Sequence, residues 1–220
     1  MIKRILFIFI CFGLIQSCGT EKKSFKGIFF GGQIINPSSK KVTLYQGNKS
    51  IDVFELDENL RFKKSYDSLN SGIFKIEHLP EFQSLLLEEG DSIWVRINAL
   101  TFDESIFYSG SGASKNNFLM ELLLKQEKEN DYLSSKYSSS RKVFSQLLDS
   151  MLLEKKNLWI KMDSLNNLSP IAQKVTQAAY IYPYATIRER YALLRGSQWT
   201  NKEDSLNYSF HKYLTTVIMT

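Results

Sequence analysis

The stretch FQSLLLEEGDSIWVRINALTFDESIFYSGSGASKNNFL, residues Phe82–Leu119, is where the sequence changes from a strand pattern to a helix pattern. Ile93, Val95 and Ile97 alternate there with Ser, Trp, Arg and Asn. An apolar side chain at every second position is typical of a strand with one buried face. The stretch therefore predicts a half-buried strand over residues 92–98.

Two shorter strands are predicted on either side, over residues 84–88 and 105–109. Gly110-Ser111-Gly112 interrupts the second of them, and Ser114 is the predicted cap of the first helix. The sequence therefore predicts a β region up to residue 112 and a helical region after it.

Residues before this stretch carry the same strand signals. Five more strands are predicted between turns rich in Gly, Asn, Asp, Pro or Ser: 28–35, 42–45, 51–54, 61–66 and 73–77. Gly31-Gly32 inside the first of them is the predicted place of a β-bulge. About eight short strands, with turn signals every ten residues or so, are typical of an antiparallel sandwich or barrel. We predict an antiparallel β-sandwich over residues 27–112.

Residues 113–220 are predicted to form three to four helices. Apolar residues recur there at three- and four-residue steps, which predicts one long amphipathic helix around residues 143–165. Ser169-Pro170 predicts a helix start, Pro183 is expected to kink or end that helix, and a last helix is predicted from Glu203 onward. Five side chains are predicted to face one helical core: Phe144, Leu148, Met151, Trp159 and Met162.

Residues 1–17 have the order of an export signal. Lys3 and Arg4 precede eleven apolar residues, Ile5–Ile15, which are too few to span a bilayer as a permanent helix. Ser17-Cys18 follows, and this order resembles a bacterial lipoprotein signal. In that family the Cys is lipidated and becomes the first residue of the mature chain. The alternative is an ordinary cleaved signal in which the Cys has no role.

The resemblance makes Cys18 the predicted lipidation site and residues 18–26 a polar tether. It implies a location in the cell envelope of a Gram-negative bacterium, anchored by lipid to a membrane and facing the periplasm or the exterior. The other cysteine, Cys11, lies inside the predicted signal, so the mature chain is expected to form no disulfide, CxxC pair or zinc knuckle. Stability is therefore expected to come from the core.

Charge narrows the range of partners. Removal of Lys3 and Arg4 with the signal lowers the formal net charge from +5 to +3. This modest excess does not favour nucleic acid as a partner. The predicted membrane partner is reached through the lipid anchor.

No catalytic residue, metal site or cofactor is predicted. His78 and His211 have no second His or Cys at ligand spacing, so both are expected at the surface or its rim. Gly110-Ser111-Gly112 with Lys115 only weakly suggests a phosphate loop, and a flexible joint is the favoured interpretation. Five acidic residues supply carboxylates of the kind that a calcium or acid–base site uses, but an ordinary hairpin-turn composition is the favoured interpretation: Glu88, Glu89, Asp91, Asp103 and Glu104.

The candidate binding residues lie around Pro183. They are Tyr180, Tyr182, Tyr184 and Arg188. Aromatic rings beside arginine can bind a glycan, a peptide or another protein, whereas the alternative is the rim of a helical core.

Four segments resemble a known family. They are Gly31–Pro37 (GGQIINP), Leu87–Ile93 (LEEGDSI), Phe102–Ser105 (FDES) and Gly110–Ala113 (GSGA) followed by Asn116-Asn117. Together they resemble the N-terminal region of TlpA-type membrane-anchored thiol–disulfide oxidoreductases. The resemblance implies a β-sandwich and a helical segment in front of a thioredoxin-like domain. That family's chemistry lies in a CxxC pair, which this chain lacks, so no catalytic residue carries over.

Two functions follow from the sequence. The first is a non-catalytic cell-envelope lipoprotein that acts as a binding or accessory module. The second is the N-terminal part, or a shortened derivative, of a TlpA-type oxidoreductase. A CxxC-containing domain downstream in the same reading frame would favour the second, and a natural stop after Thr220 the first. An independent hydrolase is the least favoured, for want of a paired nucleophile and base.

Overall fold

A computed structural model describes residues 26–195. Eight strands come first: β1 Ile28–Ile35, β2 Lys41–Gln46, β3 Lys49–Glu55, β4 Arg61–Tyr66, β5 Gly72–His78, β6 Glu81–Leu87, β7 Ser92–Asn98 and β8 Phe107–Ser111. Four helices accompany them: α1 Phe102–Ser105, preceded by a 3₁₀ turn at Ala99–Thr101, α2 Ala113–Ser135, α3 Arg141–Asn166 and α4 Pro170–Arg195. The predicted fold, a β-sandwich followed by helices, is confirmed. Cys18, His211 and the helix predicted from Glu203 lie outside the described residues.

The strands form two four-stranded sheets. Sheet A has the order β4-β1-β7-β8, and sheet B has the order β3-β2-β5-β6. All pairs are antiparallel except β1 with β7, which run parallel. The inner faces of both sheets contribute to one apolar core. Val95 and Ile97 are fully buried in it, as the alternation in β7 predicts.

The Gly31-Gly32 pair is not a bulge, because β1 keeps a continuous register with both of its neighbours. The described irregularity lies instead between Leu44 and Tyr45 in β2. The glycines are needed for space. A Cβ on Gly32 would lie 2.6 Å from Val95 Cγ1 in the core, and one on Gly31 would lie 2.9 Å from the Trp94 ring on the outer face.

The segment before β8 differs from the prediction of a strand over 105–109. Phe102–Ser105 is a helical turn, and the strand begins at Phe107. The Ser105 hydroxyl accepts a hydrogen bond from the Asn98 N–H at 2.8 Å, which holds this turn against the end of β7. The strand also continues through Gly110, whose φ of +97° suits glycine.

The helix starts and stops agree only in part with the sequence. Gly112, not Ser114, precedes α2 at the N-cap, with φ +86°. At α4 the prediction holds, because the Ser169 hydroxyl accepts a hydrogen bond from the Ala172 N–H at 3.0 Å. The expectation that Pro183 ends this helix is wrong, since α4 runs through it to Arg195.

Two consecutive asparagines join α2 to both sheets. Asn116 accepts a hydrogen bond from the Leu86 N–H at 2.7 Å and donates to the Leu86 carbonyl at 2.9 Å. Asn117 makes the same pair of bonds with Tyr108, both at 2.8 Å. Leu86 lies in the edge strand β6 of sheet B, and Tyr108 in the edge strand β8 of sheet A. The two amides therefore satisfy backbone groups that an exposed sheet edge leaves unpaired.

The helices form two small apolar cores rather than the predicted one. Phe144, Leu148 and Met151 belong to one cluster, which includes Tyr184 and Tyr191. Trp159 and Met162 belong to the other, which includes Phe118, Leu122 and Tyr180. The long helix α3 contributes to both along its length. Within residues 26–195, no helix combines the length and apolarity that a membrane span needs.

Candidate functional site

The four residues predicted to bind a ligand are not brought together on one surface. Tyr180 and Tyr184 are buried in the two helical cores, whereas Tyr182 is exposed. Arg188 binds Asp149 and donates to the Ser145 hydroxyl at 3.2 Å. A binding role therefore stays a prediction for Tyr182 and Arg188, while Tyr180 and Tyr184 fit the alternative of a core.

Tyr184 belongs to a polar cluster between the helices. Its hydroxyl donates to Glu129 at 2.5 Å, and Glu129 also binds the ammonium of the buried Lys155. Burial raises the pKa of the Tyr184 hydroxyl, and the hydrogen bond to Glu129 raises it further. This cluster connects α2, α3 and α4, so it has a structural role inside the bundle.

Two of the predicted acidic residues surround a buried lysine. The Lys115 ammonium lies 2.6 Å from Glu88 Oε2 and 2.7 Å from Asp91 Oδ2, and its side chain is 5 % exposed. The Ser169 hydroxyl donates to the other oxygen of Glu88. Asp91 Oδ2 also accepts the Glu88 N–H at 2.8 Å. These bonds join the β6–β7 turn to the first residues of α2 and to the start of α4.

The charges in this cluster are matched within the fold. Burial raises the pKa of Asp91, and the hydrogen bond from Lys115 opposes that rise. Among residues 26–195, no group of three or more His, Cys, Asp or Glu side chains is placed to hold a metal ion. We therefore interpret the Glu88–Asp91–Lys115 cluster as the joint between sandwich and helices, and the flexibility of Gly110-Ser111-Gly112 stays a prediction.

His78 is buried, contrary to the expected surface position, with 1 % of its surface exposed. Its Nε2 lies 3.0 Å from the Ser38 N–H, which can only donate, so Nε2 is the acceptor. Its Nδ1 then carries the proton and donates to the Lys41 carbonyl at 2.9 Å. Both ring nitrogens are therefore used to hold the β1–β2 turn.

The outer face of sheet A differs from these internal clusters, because its cations Arg61, Lys63 and Arg96 make no ion pair within residues 26–195. Across the four strands, one row of facing residues is Arg61, Gln33, Arg96 and Phe107. The next row is Lys63, Gly31, Trp94 and Ser109, and the third is Ser65, Phe29, Ser92 and Ser111. This grid places aromatic, cationic and small hydroxyl side chains on one surface.

Trp94 is the centre of this surface. A Cβ on Gly31 would lie 2.9 Å from both Cε3 and Cζ3 of the indole, so this edge of the six-membered ring lies over Gly31. The side chain is only partly buried. Within residues 26–195, the indole N–H has no hydrogen-bond partner. The ring therefore rests on the sheet and keeps part of its surface and its donor for solvent or a ligand.

A hollow of about 570 Å³ lies beside the Trp94 ring. Phe29 contributes apolar surface to it, and Arg61 and Lys63 line the side formed by the edge strand β4. We call this hollow, with the three rows of side chains around it, the Trp94 surface. Concave sites with an aromatic floor and a few polar groups are the usual form of small-ligand sites.

The charged side chains at the rim of the hollow differ in whether they have a bonding partner. Asp57 Oδ1 accepts the N–H groups of Asn59 at 2.8 Å and Arg61 at 2.9 Å, so this carboxylate shapes the turn before β4. Glu55 lies at the same rim. Neither Arg61 nor Lys63 makes a side-chain ion pair within the described part of the chain. Both cations are therefore available to an anion.

Sheet B offers a useful contrast, because its outer face also carries aromatic and charged groups. There Lys75 lies 3.1 Å from Glu77 and 4.3 Å from the centre of the Tyr45 ring. Tyr45 in turn donates to Glu77 at 3.1 Å. Lys75 and Glu77 of that face are therefore paired with each other, whereas the cations of the Trp94 surface make no ion pair within residues 26–195.

Comparisons with protein-family models, with curated proteins and with solved structures found no match to this chain. The candidate ligand site is therefore inferred from the geometry of the Trp94 surface. Sequence reasoning placed Trp94 on the polar side of its strand. It missed the site because the Gly31–Trp94 contact depends on the pairing of β1 with β7.

Proposed function

We propose that this protein is a non-catalytic cell-envelope lipoprotein that acts as a binding module, and that the Trp94 surface binds its ligand. One observation carries the location of the site: a partly buried indole lies on a glycine, in a hollow beside two cations that make no ion pair within residues 26–195. Aromatic and arginine side chains supply much of the binding energy where proteins recognise ligands. A preformed surface also avoids the entropy cost of ordering a loop.

Trp94→Ala is expected to abolish ligand binding and leave the fold intact, because the removed ring lies on the outer face. The purified full-length protein in detergent is screened against an array of oligosaccharides and peptides, beside this variant and Trp159→Phe. Trp159 lies in a helical core, so its variant controls for the loss of an indole. Ligands that need Trp94 but not Trp159 support the proposal. An array without any Trp94-dependent ligand contradicts it.

The membrane part of the proposal depends on the signal resemblance at Ser17-Cys18. Cys18→Ser is expected to remove the lipid and to prevent release of the mature chain from its signal, since that family's processing requires the Cys. Cell fractionation and intact-protein mass spectrometry measure both effects. A variant that keeps the wild-type mass in the membrane fraction would show that Cys18 is not the anchor.

The TlpA-type alternative is also proposed for testing. The order of a β-sandwich followed by helices is the order that the resemblance implies. A CxxC-containing domain in the same reading frame would favour this alternative. In that case the Trp94 surface would belong to the part of the chain that precedes the redox domain.

A further inference from the structure

We propose that the ligand of the Trp94 surface is an anionic carbohydrate, with one sugar ring stacked on Trp94 and a carboxylate or phosphate of the sugar chain bound by Arg61 and Lys63. This inference rests on the proposed function and names its ligand class. It follows from three features of the surface: the partly exposed indole, the position of the cations and the small polar side chains around the ring.

The indole selects for a sugar ring. The face of an aromatic ring carries partial negative charge. The less polar face of a pyranose presents C–H groups with partial positive charge, so the two faces attract each other when stacked. The absence of a side chain on Gly31 lets the Trp94 ring lie close against the sheet, which limits its movement. The unpartnered indole N–H lies at the edge of the ring, where it donates to a hydroxyl of the same sugar.

The cations select for a negative charge on the sugar chain. Gly31 in β1 faces Lys63 in β4 on one side and Trp94 in β7 on the other. The strand that carries Lys63 therefore lies two strand spacings from the strand that carries Trp94. Two spacings are about 10 Å. Arg61 and Arg96 occupy the neighbouring row on either side of Gln33. A chain that covers the ring therefore extends its next unit toward cations, where arginine binds carboxylate or phosphate in a bidentate manner.

The remaining side chains fit hydroxyl groups better than apolar ones. Gln33 Nε2 donates to the Asn59 carbonyl at 3.1 Å, which leaves the amide oxygen as an acceptor. Ser92 and Ser111 lie in the row beyond Trp94, and Ser65 lies beside Phe29. Small hydroxyl side chains leave room for a ring on the indole and supply donors and acceptors around it.

A hollow also favours a soluble chain over a flat membrane surface. The space of about 570 Å³ beside Trp94 admits single sugar units, with Phe29 as an apolar wall. Lipid head groups are therefore an alternative outcome of the test rather than the proposal. An extended peptide is another such outcome.

The test measures binding of four defined probes by isothermal titration calorimetry, with the full-length protein in detergent. Tetragalacturonate and a phosphorylated mannose tetramer supply the two kinds of charge, and neutral tetramers of galactose and mannose match them. We expect at least one anionic tetramer to bind at least tenfold more tightly than its neutral counterpart. Its affinity should fall with rising salt concentration.

The variants separate the charges of the site from the charge of the protein. The double variant Arg61→Gln with Lys63→Gln is expected to bind the anionic probe at least tenfold more weakly than the wild type. Lys49→Gln with Arg190→Gln removes the same charge from exposed positions on β3 and α4, and it should change affinity less than twofold. Trp94→Ala should also lose binding at least tenfold. Equal losses in both double variants would overturn the inference, because a general charge effect would then explain them.

The remaining outcomes distinguish this inference from the proposed function. Neutral and anionic tetramers bound equally, in a manner that depends on Trp94, overturn the anionic class but support the site. A Trp94-dependent peptide from the array, or Trp94-dependent binding only to phosphatidylglycerol vesicles, does the same. Absence of every Trp94-dependent ligand overturns both proposals.

Discussion

Replacing Lys115 with Met is expected to lower the free energy of unfolding by about 3–5 kcal/mol, because it leaves two buried carboxylates without their cation. Glu88 and Asp91 both lie within 2.7 Å of the Lys115 ammonium, and Asp91 is 6 % exposed. Met has a similar length and no charge, so the loss reports on the charge rather than on a cavity.

The control is the same substitution on the same helix. Lys125 lies 3.7 Å from Glu121 and 3.5 Å from Glu154, but its side chain is 36 % exposed. Surface pairs of this kind contribute about 0–1 kcal/mol. Urea unfolding of Lys115→Met and Lys125→Met therefore compares a buried with an exposed lysine. Equal losses would show that the Lys115 cluster is not buried as described.

The loss should also depend on pH in a defined direction. Burial raises the pKa of Asp91 from 3.8, and Lys115 is the group that opposes this rise. In the variant the folded-state pKa of Asp91 should therefore increase further above its unfolded value. A raised carboxyl pKa favours the folded state at low pH, and this contribution is lost as the pH rises. The difference between variant and wild type should be smallest below the raised folded-state pKa of wild-type Asp91 and grow as the pH rises above it.

Much of the sandwich could be predicted because its signals are local. The alternation of Ile93, Val95 and Ile97, with turn residues on both sides, is enough to define β7 and its buried face. The same reasoning failed at Phe102–Ser105. These four residues contain one apolar side chain and two acids, so they show no clear period. The hydrogen bonds from Ser105 to the end of β7 decide their conformation.

The candidate site was harder to predict because it depends on pairing across the chain. Trp94 and Gly31 are brought together by the parallel register of β1 with β7. Tyr180 and Tyr184 are four residues apart, so they share one face of a helix, and that face is the buried one. Tyr182 lies on the opposite side. The three tyrosines are close in sequence, but they do not lie on one surface of the helix.

The pairing of Lys115 with Glu88 and Asp91 could not be predicted for a related reason. A single lysine after a Gly-Ser-Gly segment has no partner within helical spacing in the sequence. Its two partners come from the β6–β7 turn, where Glu88, Gly90 and Asp91 look like an ordinary hairpin composition. Only the position of α2 across the ends of the sheets turns these residues into one cluster.

Asn116→Leu is expected to cost about 2–5 kcal/mol of unfolding free energy, because each buried backbone group that it leaves unpaired costs about 1–3 kcal/mol. Asn116 is 1 % exposed and bonds to both backbone groups of Leu86, which is fully buried. Leu branches at the same carbon as Asn but cannot hydrogen-bond, so both bonds are lost and its methyl groups must move away from the Leu86 backbone. Asn117→Leu should cost less, since Asn117 is only partly buried and water can reach the backbone of Tyr108.

Asn130→Leu, on the exposed side of α2, provides the matched control and should change stability by about 0.5 kcal/mol or less. Hydrogen exchange identifies the bond that is lost. The exchange rate of the Leu86 amide is measured in each variant relative to the global unfolding rate of that variant. This relative rate should be higher in Asn116→Leu than in Asn130→Leu. Asn116→Asp keeps the acceptor for this amide and loses the donor to the carbonyl, so its Leu86 amide should stay protected. An Asn116→Leu variant as stable as Asn130→Leu, with a protected Leu86 amide, would mean that α2 does not close the edge of sheet B.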